Sequence, residues 1–218
     1  MKQARERLGI SLLLTACLLI GAGCRGTGAT FYMDLQQKHA AAQFTEPEPV
    51  RIVIEPFEDR RSEKGRLGLR THLWGGVTYF NVVGGRPGDV IAQTLADRLK
   101  TRGWEDRTWS VQMASSGAVT NLNDADIVIS GQLLDFSVNA KSRLFSTVVT
   151  TSSKLVIAAR NIGDQSSMTR NIESAQRETL FWFSEDDVQQ LLAATLKDSI
   201  DRYLADTTID HKALKPIR

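Results

Sequence analysis

The pattern of hydrophobic and polar positions along the chain predicts a series of short strands interrupted by two helices. Residues 50–54 are mostly β-branched and lie between prolines, which is typical of a strand. Residues 67–73 and 77–83 flank Gly75-Gly76 and predict a hairpin. Alternation, which is looser in the last segment, predicts further strands at 109–113, 126–138, 143–160 and 168–183.

Two other segments have the period of an amphipathic helix. In residues 89–102 apolar positions recur four residues apart, and Gly103 suits the position after a helix end. A second helix is predicted to begin after Ser184, an N-cap residue followed by an acidic first turn. The apolar stripes are Ile91, Leu95 and Leu99 in the first helix and Val188, Leu192, Leu196, Ile200 and Tyr203 in the second.

The long strand predicted in the middle of the chain changes the face on which its apolar residues lie. Ile127 and Ile129 share one parity, whereas Leu134 and Phe136 share the other, which predicts a β-bulge near Gly131. Mostly adjacent strands with two amphipathic helices favour a layered fold. We therefore expect an α+β fold, with a mostly antiparallel sheet and two amphipathic helices packed on one face.

The first 24 residues have the layout of a bacterial lipoprotein signal. A basic segment, 1–7, precedes an uncharged run, 8–20, and small residues then lead to Cys24. The run is too short for a transmembrane helix, which needs about 20 apolar residues. An ordinary secretory signal is the other interpretation, but a cysteine directly after Ala22-Gly23 favours acylation. We expect residues 1–23 to be removed and Cys24 to carry the lipid, palmitate included.

Cys17 is an alternative acylation site. Leu14 supplies the aliphatic residue three positions before Cys17, whereas Gly21 holds that position before Cys24. Cleavage at Cys17 would leave a hydrophobic segment at the bottom of the usual range of ~7–15 residues. The sequence therefore favours Cys24.

The chain after the signal divides into three predicted parts. Residues 24–49 form the lipidated cysteine and a flexible tether, in which Phe31-Tyr32-Met33 is an apolar interruption that could pack somewhere. Residues 50–206 are expected to form a single periplasmic α+β domain, long enough to bury a core. Residues 207–218 are predicted to be a polar tail.

Charge argues against a nucleic-acid partner. The net charge of the whole chain is +2, and the signal segment accounts for it, so the mature chain is close to neutral. Nucleic-acid binding requires a clustered basic surface. Both cysteines lie within the first 24 residues, so we expect the domain to fold without a disulfide.

The sequence offers no recognisable catalytic, metal-binding or cofactor-binding motif. His39, His72 and His211 are far apart in the chain, and no metal or nucleophile signature is present. The glycine-rich stretch 84–88 lacks the lysine and hydroxyl residue of a phosphate loop. The acidic residues 185–187 are explained by helix capping. We therefore expect a protein that is not an enzyme and that binds no metal or cofactor.

The candidate partner contacts lie in a charged loop, residues 58–70, and on the hairpin that contains its end. The loop holds five basic and three acidic residues. Arg60, Arg61 and Arg66 can contact lipid headgroups or the carboxylates of a partner, although solvated charge is the ordinary interpretation of such a loop. Trp74 on the hairpin is a candidate apolar contact.

The chain resembles the YajG-like family of bacterial lipoproteins over most of residues 50–206. The resemblance lies in the segment 125–136, the helix at 90–99 followed by Gly103-Trp104, and the sequence 183–188 before the closing helix. Residues 54–60 also resemble the start of CsgG-like secretion subunits and transport-auxiliary lipoproteins. The hairpin around Gly75-Gly76 departs from the family pattern. The resemblance implies an outer-membrane lipoprotein without known catalysis.

Two functional hypotheses follow. The first is an outer-membrane lipoprotein whose periplasmic domain binds other envelope proteins, through a sheet edge or the region 58–83. Arg25 supports the outer membrane, because it is not the aspartate associated with inner-membrane retention. The second is a lipid-binding or transport-auxiliary lipoprotein, with a cleft between the helices and the sheet.

Overall fold

A computed structural model describes residues 28–35, 50–101, 109–114 and 125–217. The predicted strands and both predicted helices are present, with shifted ends and with additional strands. The elements in chain order are β1 (Thr30–Met33), β2 (Val50–Ile54), β3 (Glu58–Asp59), β4 (Gly68–Thr71), β5 (Val77–Val82), α1 (Pro87–Thr101), β6 (Trp109–Met113), β7 (Ile127–Arg143), β8 (Ser146–Asn161), β9 (Ser167–Leu180), α2 (Glu185–Ala205), β10 (Thr207–Asp210) and β11 (Ala213–Pro216).

Strand β7 organises a nine-stranded sheet. Along one edge it pairs antiparallel with β8, which in turn pairs antiparallel with β9. Along its other edge β7 pairs parallel with β2, β3 and β4 in succession. β5 pairs antiparallel with β4, while β1 and β6 join by parallel pairs to β5 and β2.

The sheet is therefore mixed, and the expectation of a mostly antiparallel sheet holds for the long strands β7, β8 and β9 and for the β4–β5 hairpin, whereas the other pairs are parallel. The chain lays β2, β3 and β4 down one after another in the same direction. β5 then turns back antiparallel to β4, and the chain passes through α1 and β6 before it enters β7 in the same direction as β2, β3 and β4. The α+β class is confirmed.

The apolar stripes of both helices are buried as predicted. They belong to one hydrophobic core, which also contains Ile52, Ile54, Ile127 and Ile129 from the sheet. Arg98 of α1 donates to Asp201 of α2 at 2.7 Å. Val53 and Val128 have the opposite parity and lie in a second, smaller cluster.

The irregularity in β7 lies at Leu134, three residues after the predicted position. The pairing register with β8 shifts between Leu133 and Asp135. Leu133 and Phe136 are both fully buried, so the extra residue keeps the inward face apolar on both sides of the shift. Gly131 has a different role, because the ring of Phe57 occupies the space that a Cβ at this position would fill.

Both ends of the predicted domain extend further than expected. Within the predicted tether, residues 30–33 form β1 and Met33 is fully buried. Within the predicted polar tail, β10 and β11 form a hairpin that buries Ile209 and Leu214. Asn161 fixes this hairpin to the sheet, because its amide donates to the Leu214 carbonyl and accepts from the Leu214 N–H.

The predicted signal and both cysteines lie outside the described residues. Among the helices that the structure describes, neither is long and apolar enough to cross a membrane.

Candidate functional site

Three connections meet at one end of the sheet. β4 runs parallel to the last part of β7, so the β4–β5 and β7–β8 turns lie side by side. β9 runs antiparallel to β8, so its end and the start of α2 lie at the same place. We call this surface the aromatic end. It is formed by Leu73, Trp74, Leu144, Phe145, Phe181 and Trp182.

The aromatic end concentrates the exposed apolar surface of the domain. Its six large hydrophobic side chains are between 42% and 90% exposed. In the described ranges only Tyr32, Val83 and Ile217 are comparable hydrophobic side chains outside it. A depression of about 430 Å³ runs between the three connections. Clustered apolar exposure of this kind is unusual on a monomer, which makes this surface the candidate for an interaction.

The backbone at the aromatic end has positive φ angles, which favour glycine, yet one of these positions is occupied by phenylalanine. Gly75 and Gly76 have φ of 85° and 80°, which glycine adopts without strain. Phe145 has φ of 75° and is 83% exposed. A bulky residue in this conformation is strained and gains nothing here from burial. Packing therefore does not explain why Phe145 is aromatic.

Polar side chains lie next to the exposed apolar side chains of the aromatic end and form hydrogen bonds and a cation–π contact there. The guanidinium of Arg70 lies 3.6 Å from the centroid of the Phe183 ring and donates to the Ser142 hydroxyl at 3.0 Å. His72 Nε2 lies 2.9 Å from the Thr78 hydroxyl. Burial, assisted by the positive charge of Arg70, holds the pKa of His72 below its usual value, so the imidazole is neutral at pH 7.

Helix α2 begins at the aromatic end. Ser184 is its N-cap, with its hydroxyl accepting from the N–H of Asp186 at 3.1 Å, as the sequence predicts. The first turn places Glu185, Asp186 and Asp187 beside the apolar tips. Arg70 and Arg143 line the depression itself. Charges of both signs therefore surround the apolar surface.

The chain also enters the domain at this end. β1 runs parallel to β5, which starts directly after the Gly75-Gly76 turn. The N–H of Gly28 donates to the carbonyl of Val77 at 2.9 Å, and Tyr79 N–H donates to the carbonyl of Ala29 at 2.8 Å. Residue 28 is thereby fixed next to the turn that carries Trp74.

Arg61, a predicted partner contact, is directed into the protein. Its side chain is 5% exposed. The guanidinium forms a two-point contact with the carboxylate of Asp59, through Nη2 at 2.8 Å and Nε at 3.0 Å. Nη1 donates to the carbonyls of Arg66 and Phe136. Arg61 therefore joins the charged loop to β7, with four of its five guanidinium N–H groups bonded within the domain.

The carboxyl of Asp59 reflects this contact. Burial alone would raise its pKa, but the hydrogen bonds from Arg61 and the charge of Arg61 outweigh burial. The pKa of Asp59 is therefore below its usual value, and the pair is ionised at neutral pH.

The other predicted contacts are on the surface. Arg60 pairs with Glu58 at 2.8 Å. Arg66 pairs with Glu63 at 3.4 Å and lies over the ring of Tyr79. None of the three arginines lines the aromatic end, whereas Trp74 does. The structure thus separates Trp74 from the arginines with which the sequence grouped it.

Sequence reasoning misses Phe145, Phe181 and Trp182 as surface residues. Phe181 and Trp182 follow the end of β9, and Phe145 lies in the two-residue turn after β7. The sequence pattern places all three inside predicted strands, where an aromatic residue is ordinarily core. If the predicted strand had ended at Leu180, Phe181 and Trp182 would have been assigned to a connection and predicted to be exposed.

The space between the helices contains an open depression of about 360 Å³, lined by Arg98 and Thr101 of α1 and by Asp201, Leu204 and Ala205 of α2. A more enclosed depression, lined by residues including Leu35, Leu196 and Ile200, measures about 10 Å³. This is close to the volume that holds one water molecule and is far too small for an acyl chain. In the described part of the chain, no three histidine, cysteine or acidic residues are grouped as metal ligands.

Comparison with known proteins gives distant likenesses of fold. No protein-family model matches the chain, and no curated protein matches it. A DUF330 protein from Xanthomonas campestris is 8% identical, with a TM-score of 0.49, over 80% of this chain and 90% of that one. A neuraminyllactose-binding hemagglutinin homologue from Helicobacter pylori is 9% identical, with a TM-score of 0.39, over 80% and 89%.

Lipoprotein GNA1162 from Neisseria meningitidis is 10% identical, with a TM-score of 0.33, over 69% of this chain and 97% of that one. These solved structures include a bacterial lipoprotein, but likenesses at this level carry no argument about function. None of the three is described as YajG-like, so that resemblance stays a prediction.

Proposed function

We propose that the chain is a lipoprotein of the bacterial envelope, acylated at Cys24, whose α+β domain is a non-catalytic binding or assembly module. The domain faces the periplasm from the outer membrane. Arg25 supports this location, since it is not the aspartate associated with retention at the inner membrane. Both helices cover one face of the sheet in this proposal, and their shared core and the Arg98–Asp201 contact support that arrangement.

The observation that carries the proposal is the aromatic end. Six exposed large hydrophobic side chains at one place cost solubility, and this cost is consistent with a surface that is covered during function. Apolar contact and stacking are the chemistry of binding.

Acylation is tested by mass spectrometry of the mature N-terminus after expression with labelled palmitate. We expect a lipid-modified Cys24 at the N-terminus and label that disappears in a Cys24→Ser variant. Cys17→Ser is the matched control and should keep the label. An N-terminus at Cys17, or an unmodified Cys24, would contradict the proposed anchor.

The binding surface is tested by placing a photo-crosslinking amino acid at Phe181 of the full chain in intact cells. We expect adducts from Phe181, with protein or with lipid, that are absent when the same group replaces Val83, an exposed residue at the far end of β5. Equal adducts from both positions, or none from Phe181, would contradict the assignment of the aromatic end as the binding surface. Arg60→Ala should leave the adducts unchanged.

A further inference from the structure

We propose that the partner of the aromatic end is the bilayer in which the lipid of Cys24 is inserted. In this arrangement no long tether separates the domain from the membrane, and the aromatic end contacts the membrane surface directly. This inference rests on the proposed acylation of Cys24 and names what the binding surface contacts.

The first argument is chain length. Only three residues separate Cys24 from Gly28. Fully extended chain spans at most about 3.6 Å per residue, so Cys24 lies within roughly 14 Å of Gly28. Gly28 is fixed beside Val77, at the start of β5. A lipid on Cys24 therefore holds this end of the sheet against the membrane surface.

The second argument is the role of β1. Without it, a flexible tether of about 25 residues would separate the ends by roughly 28 Å on average and would leave the orientation of the domain free. Pairing of residues 30–33 with β5, together with burial of Met33, removes most of that length. The parallel pairing also decides which end of the sheet the anchor reaches.

The third argument is the composition of the tips. Tryptophan suits the boundary between headgroups and acyl chains, where its ring is buried and its indole N–H stays wet, and phenylalanine supplies a purely apolar side chain that can insert there. Trp74, Phe145 and Trp182 project from three separate connections, as a surface resting on a plane requires. Phe145 keeps its aromatic side chain in a strained turn, and insertion into lipid would explain it.

The charges around the aromatic end predict how it binds. Arg143 is exposed and lines the depression, where it can reach lipid phosphates. The acidic first turn of α2 opposes anionic lipid. These effects offset one another, so we expect binding driven by apolar insertion, with little dependence on salt or on the fraction of anionic lipid.

The test uses the full acylated protein reconstituted into vesicles of phosphatidylethanolamine and phosphatidylglycerol whose acyl chains carry bromine. The chain has four tryptophans, Trp74, Trp104, Trp109 and Trp182. We expect bromine to quench emission from Trp74 and Trp182. All variants carry Trp104→Phe, so Trp109 is the tryptophan that remains when Trp74 and Trp182 are also replaced. A Trp74→Phe/Trp182→Phe variant on this background should show almost no quenching, because Trp109 is partly buried with its indole N–H donating to the Leu99 carbonyl.

A second variant distinguishes membrane binding by the aromatic end from mere closeness of the domain to the membrane. In it, about 20 glycine and serine residues are inserted between Thr27 and Gly28, which adds a flexible spacer of roughly 25 Å on average. The proposal predicts that quenching persists, since the aromatic end itself holds the membrane. Phe145→Ser/Phe181→Ser in the extended protein should reduce quenching about fivefold or more, because two apolar anchors are lost. Val83→Ser/Ile217→Ser is the matched control away from this end and should leave quenching unchanged.

The outcomes distinguish the two proposals. An unmodified Cys24 overturns the proposed anchor. A modified Cys24 with unquenched Trp74 and Trp182 leaves the lipoprotein in place and overturns membrane docking. Quenching that disappears on extending the tether, with the aromatic end intact, shows proximity alone and also overturns docking.

Discussion

The charged loop and the aromatic end are opposites in what they show to solvent. In the charged loop, Arg61 turns a full charge inward to Asp59 and to the carbonyl of Phe136. At the aromatic end, Trp182 turns a large apolar ring outward and is 90% exposed. In the charged loop the charge stabilises the fold, whereas at the aromatic end the exposed apolar surface does not stabilise the fold.

The difference shows that residue type does not decide which region makes external contacts. Arginine is the ordinary candidate for a partner contact because it is long, charged and usually exposed. Here β3 and β4 both pair with β7, and Arg61, which lies between them in the chain, directs its guanidinium to the carbonyl of Phe136 in β7. The turns between strands, where the sheet cannot bury side chains, carry the exposed surface instead.

The largest effect should come from Arg61→Ala. The substitution removes a buried guanidinium, leaves Asp59 with the backbone N–H of residue 61 but without its charged partner, and removes the donor to two carbonyls, so the free energy of unfolding should fall by about 3 kcal/mol. Urea unfolding measures it. Arg60→Ala is the matched control, because its exposed pair with Glu58 is worth under about 1 kcal/mol. Equal losses would contradict the inward role of Arg61.

The same pair predicts a difference in pH dependence. The pKa of Asp59 is lower in the folded protein than in the unfolded chain, so its contribution is present above the unfolded value of about 4 and is lost as the pH falls through the folded value. The Arg61→Ala variant should lose less stability than the wild type between neutral pH and about pH 3. A parallel pair of stability curves would contradict the ionised pair.

The next effect should come from Gly131→Ala, which tests the packing near the charged loop. A Cβ there would lie 2.5 Å from Cδ2 of Phe57, so we expect a loss of about 2 kcal/mol. Gly163→Ala is the control, since a Cβ there meets nothing within 4 Å. Phe57→Leu should recover part of the loss in the double variant, and its failure to do so would place the strain elsewhere.

A smaller effect should come from Ser184→Ala, at the junction of the aromatic end and α2. Removal of the N-cap hydroxyl leaves the Asp186 N–H without its acceptor and should cost about 1 kcal/mol. Thermal unfolding followed by circular dichroism measures it. Ser184→Asp should restore most of the loss, whereas full loss with aspartate would mean that the hydroxyl has another role.

Local patterns in the sequence are enough to predict the elements that bury a regular face. The stripe of α2 and its N-cap at Ser184 depend on contacts within a few residues, and both are confirmed. The hairpin around Gly75-Gly76 is local in the same way and is confirmed. Such local patterns predict the folded structure because each depends on backbone hydrogen bonds within a few residues or on the burial of one continuous apolar face.

Features that depend on distant pairing could not be predicted. The pairing of β1 with β5 joins segments that lie far apart in the chain. On its own, the short sequence of β1 cannot be distinguished from the tether in which it was placed. The bulge position depends on which residue of β7 faces the core, and parity alone does not distinguish Leu133 from Leu134. The aromatic end arises only when three separate connections meet, so no single segment reveals it.

The smallest effect, and one of opposite sign, should come from Phe145→Gly. Phe145 is strained at φ of 75° and exposed, so glycine relieves about 1–2 kcal/mol of strain. Glycine also costs about 0.5–1 kcal/mol through the added freedom of the unfolded chain. We expect the urea midpoint to stay equal or rise slightly, while detergent or vesicle binding weakens. Leu144→Gly lacks the strain and should lower the midpoint. A loss above about 1 kcal/mol for Phe145→Gly would mean that the ring stabilises the fold, and the contrast between the inward charge and the outward aromatic surface would no longer hold.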